Sequence, residues 1–265
     1  MHRSPIKQEI IGGVDFMLIR ENCGGAYYGN KQETEDYGCD PWEYQRAEVE
    51  RVARVAAALA MQHDPPLQVT SADKANVLAS GRLWRRVVTE LFKREFPQVP
   101  LQHQLADSLA MLLITQPTRW NGVIVTDNTF GDILSDEAGG LTGSLGLLPS
   151  ASLAGAPGEA GGDLGRNSCG GVKGLYEPVH GSAPDISGKG LANPVAQVLS
   201  LAMMLRYSFN MHQEADVIES AVARVLDSKD DGGLEVRTGD LGGKAGTKEM
   251  SEAIQGEVKR LLQSK

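Results

Sequence analysis

Asp132 and Asp136 stand four residues apart in GVIVTDNTFGDILSD, directly after a short apolar, β-branched run. On a helix beginning near Gly131, that spacing puts both carboxylates on one face, one turn apart. Open α/β sheets bind ligands just beyond the C-terminal ends of their strands, and two carboxylates there suit a hard divalent cation such as Mg²⁺ or Mn²⁺. Such ions take oxygen ligands in near-octahedral array and leave positions open for water or substrate. The same spacing also serves a helix cap and a solvent-facing carboxylate, because acidic first turns are common. Spacing alone leaves the two readings open.

Four other residues have types that do chemistry. Arg20 ends an apolar run in LIREN and has the planar fork that pairs with a carboxylate, although a strand-end arginine also serves in surface ion pairs. Tyr27, in GGAYYG, can act as a general acid or simply pack. Lys74, in TSADKANVL, has Asp73 beside it and can relay a proton. Asp107, in HQLADSLAM, is a carboxylate at an apolar helix start, where it fits either a cap or a ligand.

The elements that position these groups follow from periodicity. GVDFMLIR, LQVTS and GVIVT read as short strands. The segment at about 21–40 is rich in glycine and tyrosine and reads as a hairpin or extended arm. Asp40-Pro41-Trp42-Glu43 has the wording of a helix start with a capping box, and the helix stops at His63-Asp64-Pro65-Pro66. ASGRLWRRVVTELFKREF and LQHQLADSLAMLLI read as helices, as do 194–209, 214–227 and 247–263. The glycine-rich stretch AGAPGEAGGDLGRNSCGG reads as a mobile loop. Strands alternating with helices predict an α/β fold with a mostly parallel sheet.

Composition narrows the class. A net charge of −8 and a pI near 5.2, with no lysine or arginine block, argue against nucleic acid or an anionic membrane as partner. The three cysteines are an odd count without metal-ligand spacing, which fits a reducing compartment. No apolar run reaches the length of a membrane span and no signal-peptide pattern precedes the first motif, so the expectation is a soluble cytoplasmic protein.

Two long motifs carry a family resemblance. The stretch GVIVTDNTFGDILSDEAGGLTGSLGLLPSASL resembles the metal-binding segment of the β-decarboxylating dehydrogenases, and its ending LLPSASL resembles the isopropylmalate-oxidising branch in particular. GLYEPVHGSAPDISGKGLANP, with no GxGxxG wording, resembles the loop that wraps the adenosine half of the dinucleotide in that family. The resemblance implies the isopropylmalate dehydrogenase-like two-domain α/β fold. Residues 1–142 would form a central, dimer-making domain with its arm, and 143–265 the C-terminal part of the dinucleotide-binding domain. It begins part-way along the family's sequence, so the first part of the cofactor domain is expected to be missing. Three origins fit that expectation: a truncated gene model, a truncated paralogue or a decayed copy.

The resemblance also implies roles. Arg20 would bind a 2-hydroxy dicarboxylate, while Tyr27 and Lys74 would handle protons. Asp132 and Asp136 would hold Mg²⁺ or Mn²⁺ together with Asp107 from the other subunit of a homodimer. Glu177 would lie near the nicotinamide ribose, His180 against the adenine, and Gly181, Ser182, Ala183 and Pro184 along the adenosine. Asp185 would accept the ribose 2′-hydroxyl, favouring NAD, and Asn193 would bond the adenine edge. The implied activity is NAD-dependent oxidative decarboxylation in leucine biosynthesis. The alternatives are a relative acting on another 2-hydroxy diacid, or an inactive dimerisation module that regulates a full-length relative.

Overall fold

The computed structural model describes residues 4, 6–157 and 171–263. The chain divides into two compact units, Met1–Leu141 with Gly155–Glu159, and Thr142–Ala154 with Ala160–Lys265. Most of the glycine-rich stretch expected to be mobile lies outside the described residues.

In the first unit a short helix α1 (Gln8–Ile11) precedes strand β1 (Phe16–Arg20). A two-stranded hairpin, β2 (Gln32–Glu33) with β3 (Gly38–Cys39), follows in the arm. Then come α2 (Arg46–Ala60), β4 (Val69–Asp73), α3 (Ala79–Glu95), β5 (Leu101–Leu105), α4 (Ala106–Thr115), β6 (Gly122–Thr126) and α5 (Asn128–Thr142). The sheet order is β1-β6-β4-β5 and every neighbouring pair is parallel, with Arg20 opposite Thr126. Ile124 and Ala72 pack with Leu109, Leu113, Trp120 and Leu134 beneath α4 and α5. Alternation along a strand turns Val123 and Val125 the other way, and α2 packs against β6 beside α3.

Three expected boundaries are corrected. Residues 41–45 are not helical; α2 starts at Arg46, and its capping box is Gln45 with Glu48, whose carboxylate accepts the Gln45 N–H at 2.7 Å. The Asp40 wording is locally sound but is overridden, because Trp42 and Tyr44 are drawn away to partners near residue 128. LQHQL is not the first turn and a half of a helix but strand β5, paired with β4 from Leu101 opposite Val69 to Leu105 opposite Asp73. Pro100 contributes its carbonyl to Val69 N–H, and Gln102 bonds Thr70 Oγ1, so an edge position in the sheet outweighs helical spacing. Helix α5 begins at Asn128, three residues before the expected start at Gly131.

The second unit holds an antiparallel pair, β7 (Pro149–Leu153) and β8 (Gly174–Pro178), with Pro149 opposite Pro178. Helix α6 (Val195–Phe209) packs on both strands, and α7 (His212–Leu226) lies between α6 and α8 (Thr247–Gln263). Val195, Val222, Val225, Met250 and Ile254 form its buried centre. Among the described residues, no helix is long and apolar enough to cross a membrane.

Candidate active site

Because all four strands of the first sheet run the same way, their C-terminal ends share one edge, and the chemistry-bearing residues of this unit follow those ends. At the end of β1, Arg20 lies along the first turn of α5. Its Nε and Nη2 donate to Asn128 Oδ1 at 3.1 and 2.8 Å, and its Nη1 donates to Asp132 Oδ1. The Tyr27 hydroxyl donates to the other oxygen of Asp132 at 2.9 Å, and the Arg20 guanidinium lies 6.0 Å from the Tyr27 ring centroid. Bonding to Asp132 raises the Tyr27 phenol above its ordinary range. Asp136 is exposed one turn further along α5. Among the described residues, no group of three histidines, cysteines or carboxylates is arranged to hold a metal ion.

A second cluster forms beyond β4 and β5. Lys74 Nζ meets Asp107 Oδ2 at 2.6 Å, and that contact holds the exposed Asp107 carboxyl below the usual range. Beside it the buried Asp73 takes two hydrogen bonds from Arg85, at 2.8 and 2.9 Å, and caps Ala75 N–H. Among the described residues, no hydrogen bond or ion pair joins the Lys74 cluster to the Arg20 cluster. Five of the six residues singled out in this unit are thus brought together as two groups, Arg20 with Tyr27 and Asp132, and Lys74 with Asp107, while Asp136 stands one turn beyond the first.

Several participants escaped sequence reasoning. Asn128 receives Arg20 twice and donates its own amide to Gly24 O at 3.0 Å. Asp127, one residue earlier, accepts Phe130 N–H and the Trp42 indole N–H. The one local signal was an aspartate directly before DNTFGD's helical run, the position of an N-cap. Gly131 is also part of the site. A Cβ built there would stand 2.6 Å from Arg20 Cγ, so the glycine lets the arginine stem lie on the helix. Gly131→Ala is expected to improve helix propensity by up to about 1 kcal/mol while displacing Arg20. The check is a melting temperature that holds or rises together with a moved Arg20 Nε–H resonance.

In the second unit the loop after β8 is exposed from Val179 through Pro184–Asp185, with Glu177 exposed on β8 itself. His180 Nδ1 lies 3.0 Å from Gly181 O, and Asp185 sits in a short 3-10 turn, Pro184–Ile186. Asn193 is held at both ends of its amide: Oδ1 accepts Val195 N–H at 3.0 Å and Nδ2 donates to Asp240 Oδ2 at 2.9 Å. Burial works against the Asp240 charge, but donors from Ser144, Thr238 and Asn193 hold its carboxyl below the usual range. Asp240 lies in the RTGDLGG loop between α7 and α8.

Residues 1–254 match the family model described as isocitrate/isopropylmalate dehydrogenase. The chain is 58% identical to the 3-isopropylmalate dehydrogenase of Hapsidospora chrysogena, over 99% of this chain and 68% of that protein. It is 56% identical to 3-isopropylmalate dehydrogenase B of Aspergillus niger, over 95% of this chain and 64% of that protein. The chain thus spans about two thirds of the length of these curated relatives. Among solved structures it is similar to the isocitrate dehydrogenase of Methylococcus capsulatus, with a TM-score of 0.74 and 34% identity over 91% of this chain and 66% of that one. The β-decarboxylating dehydrogenase of Thermococcus kodakarensis gives a TM-score of 0.74 and 35% identity over 92% and 64%.

Proposed function

The chain belongs to the isocitrate/isopropylmalate dehydrogenase family, and from that premise we propose that it serves NAD-dependent oxidative decarboxylation of 3-isopropylmalate to 4-methyl-2-oxopentanoate, in cytoplasmic leucine biosynthesis. The substrate assignment draws on the names of the curated relatives. The free cysteines Cys23 and Cys39 suit a reducing compartment.

The observation that carries the site reading is the hydrogen-bond inventory of Arg20. A guanidinium has five N–H donors. Among the described residues three are engaged, by Asn128 and Asp132, which leaves one on each terminal nitrogen. The two terminal nitrogens form the end of the fork, an edge that can take a carboxylate bidentately. The partners behind the fork hold it still, so little side-chain freedom is lost when a dicarboxylate docks.

Two carboxylates on one face of α5 fit Mg²⁺ or Mn²⁺, which is bound by one or two protein carboxylates and keeps other positions for water and substrate. Asp132 and Asp136 would hold the ion, with Asp107 from a second copy of the chain in a homodimer completing the oxygen set. When bound, the metal and the dinucleotide supply charge stabilisation and the hydride acceptor. The protein's own groups do the rest. Arg20 orients the substrate carboxylate, Lys74 of the second copy takes up the hydroxyl proton, and Tyr27, with its phenol kept protonated by Asp132, delivers a proton to the product carbon. On the second unit, Glu177, His180, Gly181, Ser182, Ala183 and Pro184 would line the dinucleotide. Asn193, oriented by Asp240, would read the adenine edge. Asp185 would accept a ribose 2′-hydroxyl and repel a 2′-phosphate, which favours NAD over NADP.

The test is NAD⁺ reduction, followed at the nicotinamide absorbance, with 3-isopropylmalate and Mg²⁺. Asp132→Asn is expected to lower kcat/KM by at least about a hundredfold, since it weakens the metal set and the Tyr27 contact together. Turnover that survives this substitution would exclude the assigned site.

A further inference from the structure

We propose that Asp127 is a positioning residue of the Arg20 cluster: it ties the first turn of α5 to Trp42, and so sets where Asn128 and Asp132 meet the guanidinium. The proposal rests on the reading of Arg20 as the carboxylate-binding group.

Asp127 directly precedes α5 and uses its two oxygens for two different elements. Oδ1 accepts Phe130 N–H at 2.9 Å, an N-cap bond to the third helical residue. Oδ2 accepts the indole N–H of Trp42 at 3.1 Å, a residue 85 positions earlier in the chain. The Trp42 ring also lies 4.9 Å from the Phe130 ring, centroid to centroid, so the 41–45 segment touches this turn twice. Further along the same segment the Tyr44 hydroxyl accepts Asn128 N–H at 2.9 Å, and Glu43 O accepts Gly25 N–H at 3.1 Å. Gly24 permits this closeness, because a Cβ there would stand 2.6 Å from the Tyr44 ring. Asn128 is therefore fixed at its backbone N–H and its amide nitrogen, and its oxygen is presented to Arg20.

A neutral cap would be less costly. Serine, threonine or asparagine satisfies an N-terminal N–H without a buried charge. Asp127 is 8% exposed, and among the described residues no cation pairs with it. Burial pushes its carboxyl up to about 6, against the two hydrogen bonds it accepts, and the neighbouring Glu21 and Asp73 push in the same direction. Those neighbours have their own arginines, Arg51 and Arg85. What the carboxylate adds over a hydroxyl cap is a second acceptor oxygen within reach of the indole. That second tie is the gain that offsets the burial, and it ends at the residues that hold Arg20.

The experiment is a two-dimensional ¹H–¹⁵N spectrum of the indole and arginine Nε–H groups of the whole chain. It is recorded for the wild type, Asp127→Ala, Asp127→Asn and Trp42→Phe, alongside calorimetric titration with 3-isopropylmalate and Mg²⁺. Asp127→Ala should move both the Trp42 indole and the Arg20 Nε–H signals and weaken binding about fivefold, the scale of one lost hydrogen bond. Asp127→Asn, which keeps the cap, should recover part of the Arg20 shift. Trp42→Phe leaves the cap whole, so it should move the Arg20 signal even if the alanine variant does not fold. An Arg20 signal that stays in place in folded Asp127→Ala or Trp42→Phe overturns the proposal. If the wild type binds no 3-isopropylmalate, the substrate assignment fails, and the Arg20 signal alone decides the role of Asp127.

Discussion

Arg20→Met is expected to weaken 3-isopropylmalate binding by about a hundredfold, roughly 3 kcal/mol, at the upper end of what hydrogen bonds to charged groups contribute. Methionine nearly matches the length of the arginine stem and can still lie against Gly131, so the helix contact survives and the fork alone is lost. The substitution also leaves Asn128 Oδ1 and one oxygen of Asp132 without their donors. The Asp132 oxygen can turn to water because that side chain is partly exposed, whereas Asn128 is 2% exposed and its unmet oxygen is expected to cost about 1–3 kcal/mol of stability. Arg20→Lys is the informative companion. It keeps the positive charge but offers one ammonium where a planar fork held two acceptors behind and one carboxylate in front. We expect it to recover less than a tenth of the lost affinity. Calorimetric titration of the three proteins reads the result, and methionine binding at wild-type strength would remove Arg20 from the substrate site.

Trp84→Ala is expected to cost about 3–5 kcal/mol of stability, a large part of what a domain of this kind has. Trp84 is among the largest fully buried side chains of the first unit, at 1% exposure. Its indole N–H donates to Ser71 Oγ at 3.1 Å, which anchors α3 to the centre of β4. Its ring meets Tyr44 edge-on, 5.5 Å between centroids with planes at 74°. Truncation therefore opens a cavity, leaves a buried hydroxyl without its donor, and removes the wall against which Tyr44 rests. Because Tyr44 in turn holds Asn128 N–H, the loss should reach the Arg20 cluster before the unit unfolds. Urea denaturation followed by circular dichroism measures the first effect. Trp84→Phe, which keeps most of the volume, should lose less than half as much. A loss below about 1 kcal/mol for the alanine variant would mean that the α3 face repacks freely.

What could be read without coordinates divides along a physical line. Val195–Phe209 and Ala79–Glu95 were legible because the apolar spacing of an amphipathic or apolar helix is a local pattern. The one-turn spacing of Asp132 and Asp136 was legible for the same reason. LQHQL was misread because two residues of polar alternation look alike on a short helix and on an edge strand; pairing with Val69–Asp73 decides it. The start of α2 was misread because Trp42 and Tyr44 satisfy partners more than eighty residues away, and those partners outweigh a local capping box. Asp127 was passed over for a related reason. Nothing in its neighbours announces that an indole from another segment reaches its second oxygen.

The strand order β1-β6-β4-β5 has a genetic consequence. It sets the Arg20 group after one adjacent pair of strands and the Lys74 group after the other, so one fold presents two halves that, among the described residues, share no hydrogen bond or ion pair within a chain. If each working site is built from the first half of one copy and the second half of another, two defective alleles need not add up to a null. A dimer of one Arg20-defective chain with one Lys74-defective chain concentrates both lesions in one site and leaves the other whole. Either allele expressed alone would be silent, and together they would restore growth. Two alleles damaged in the same half would never do so.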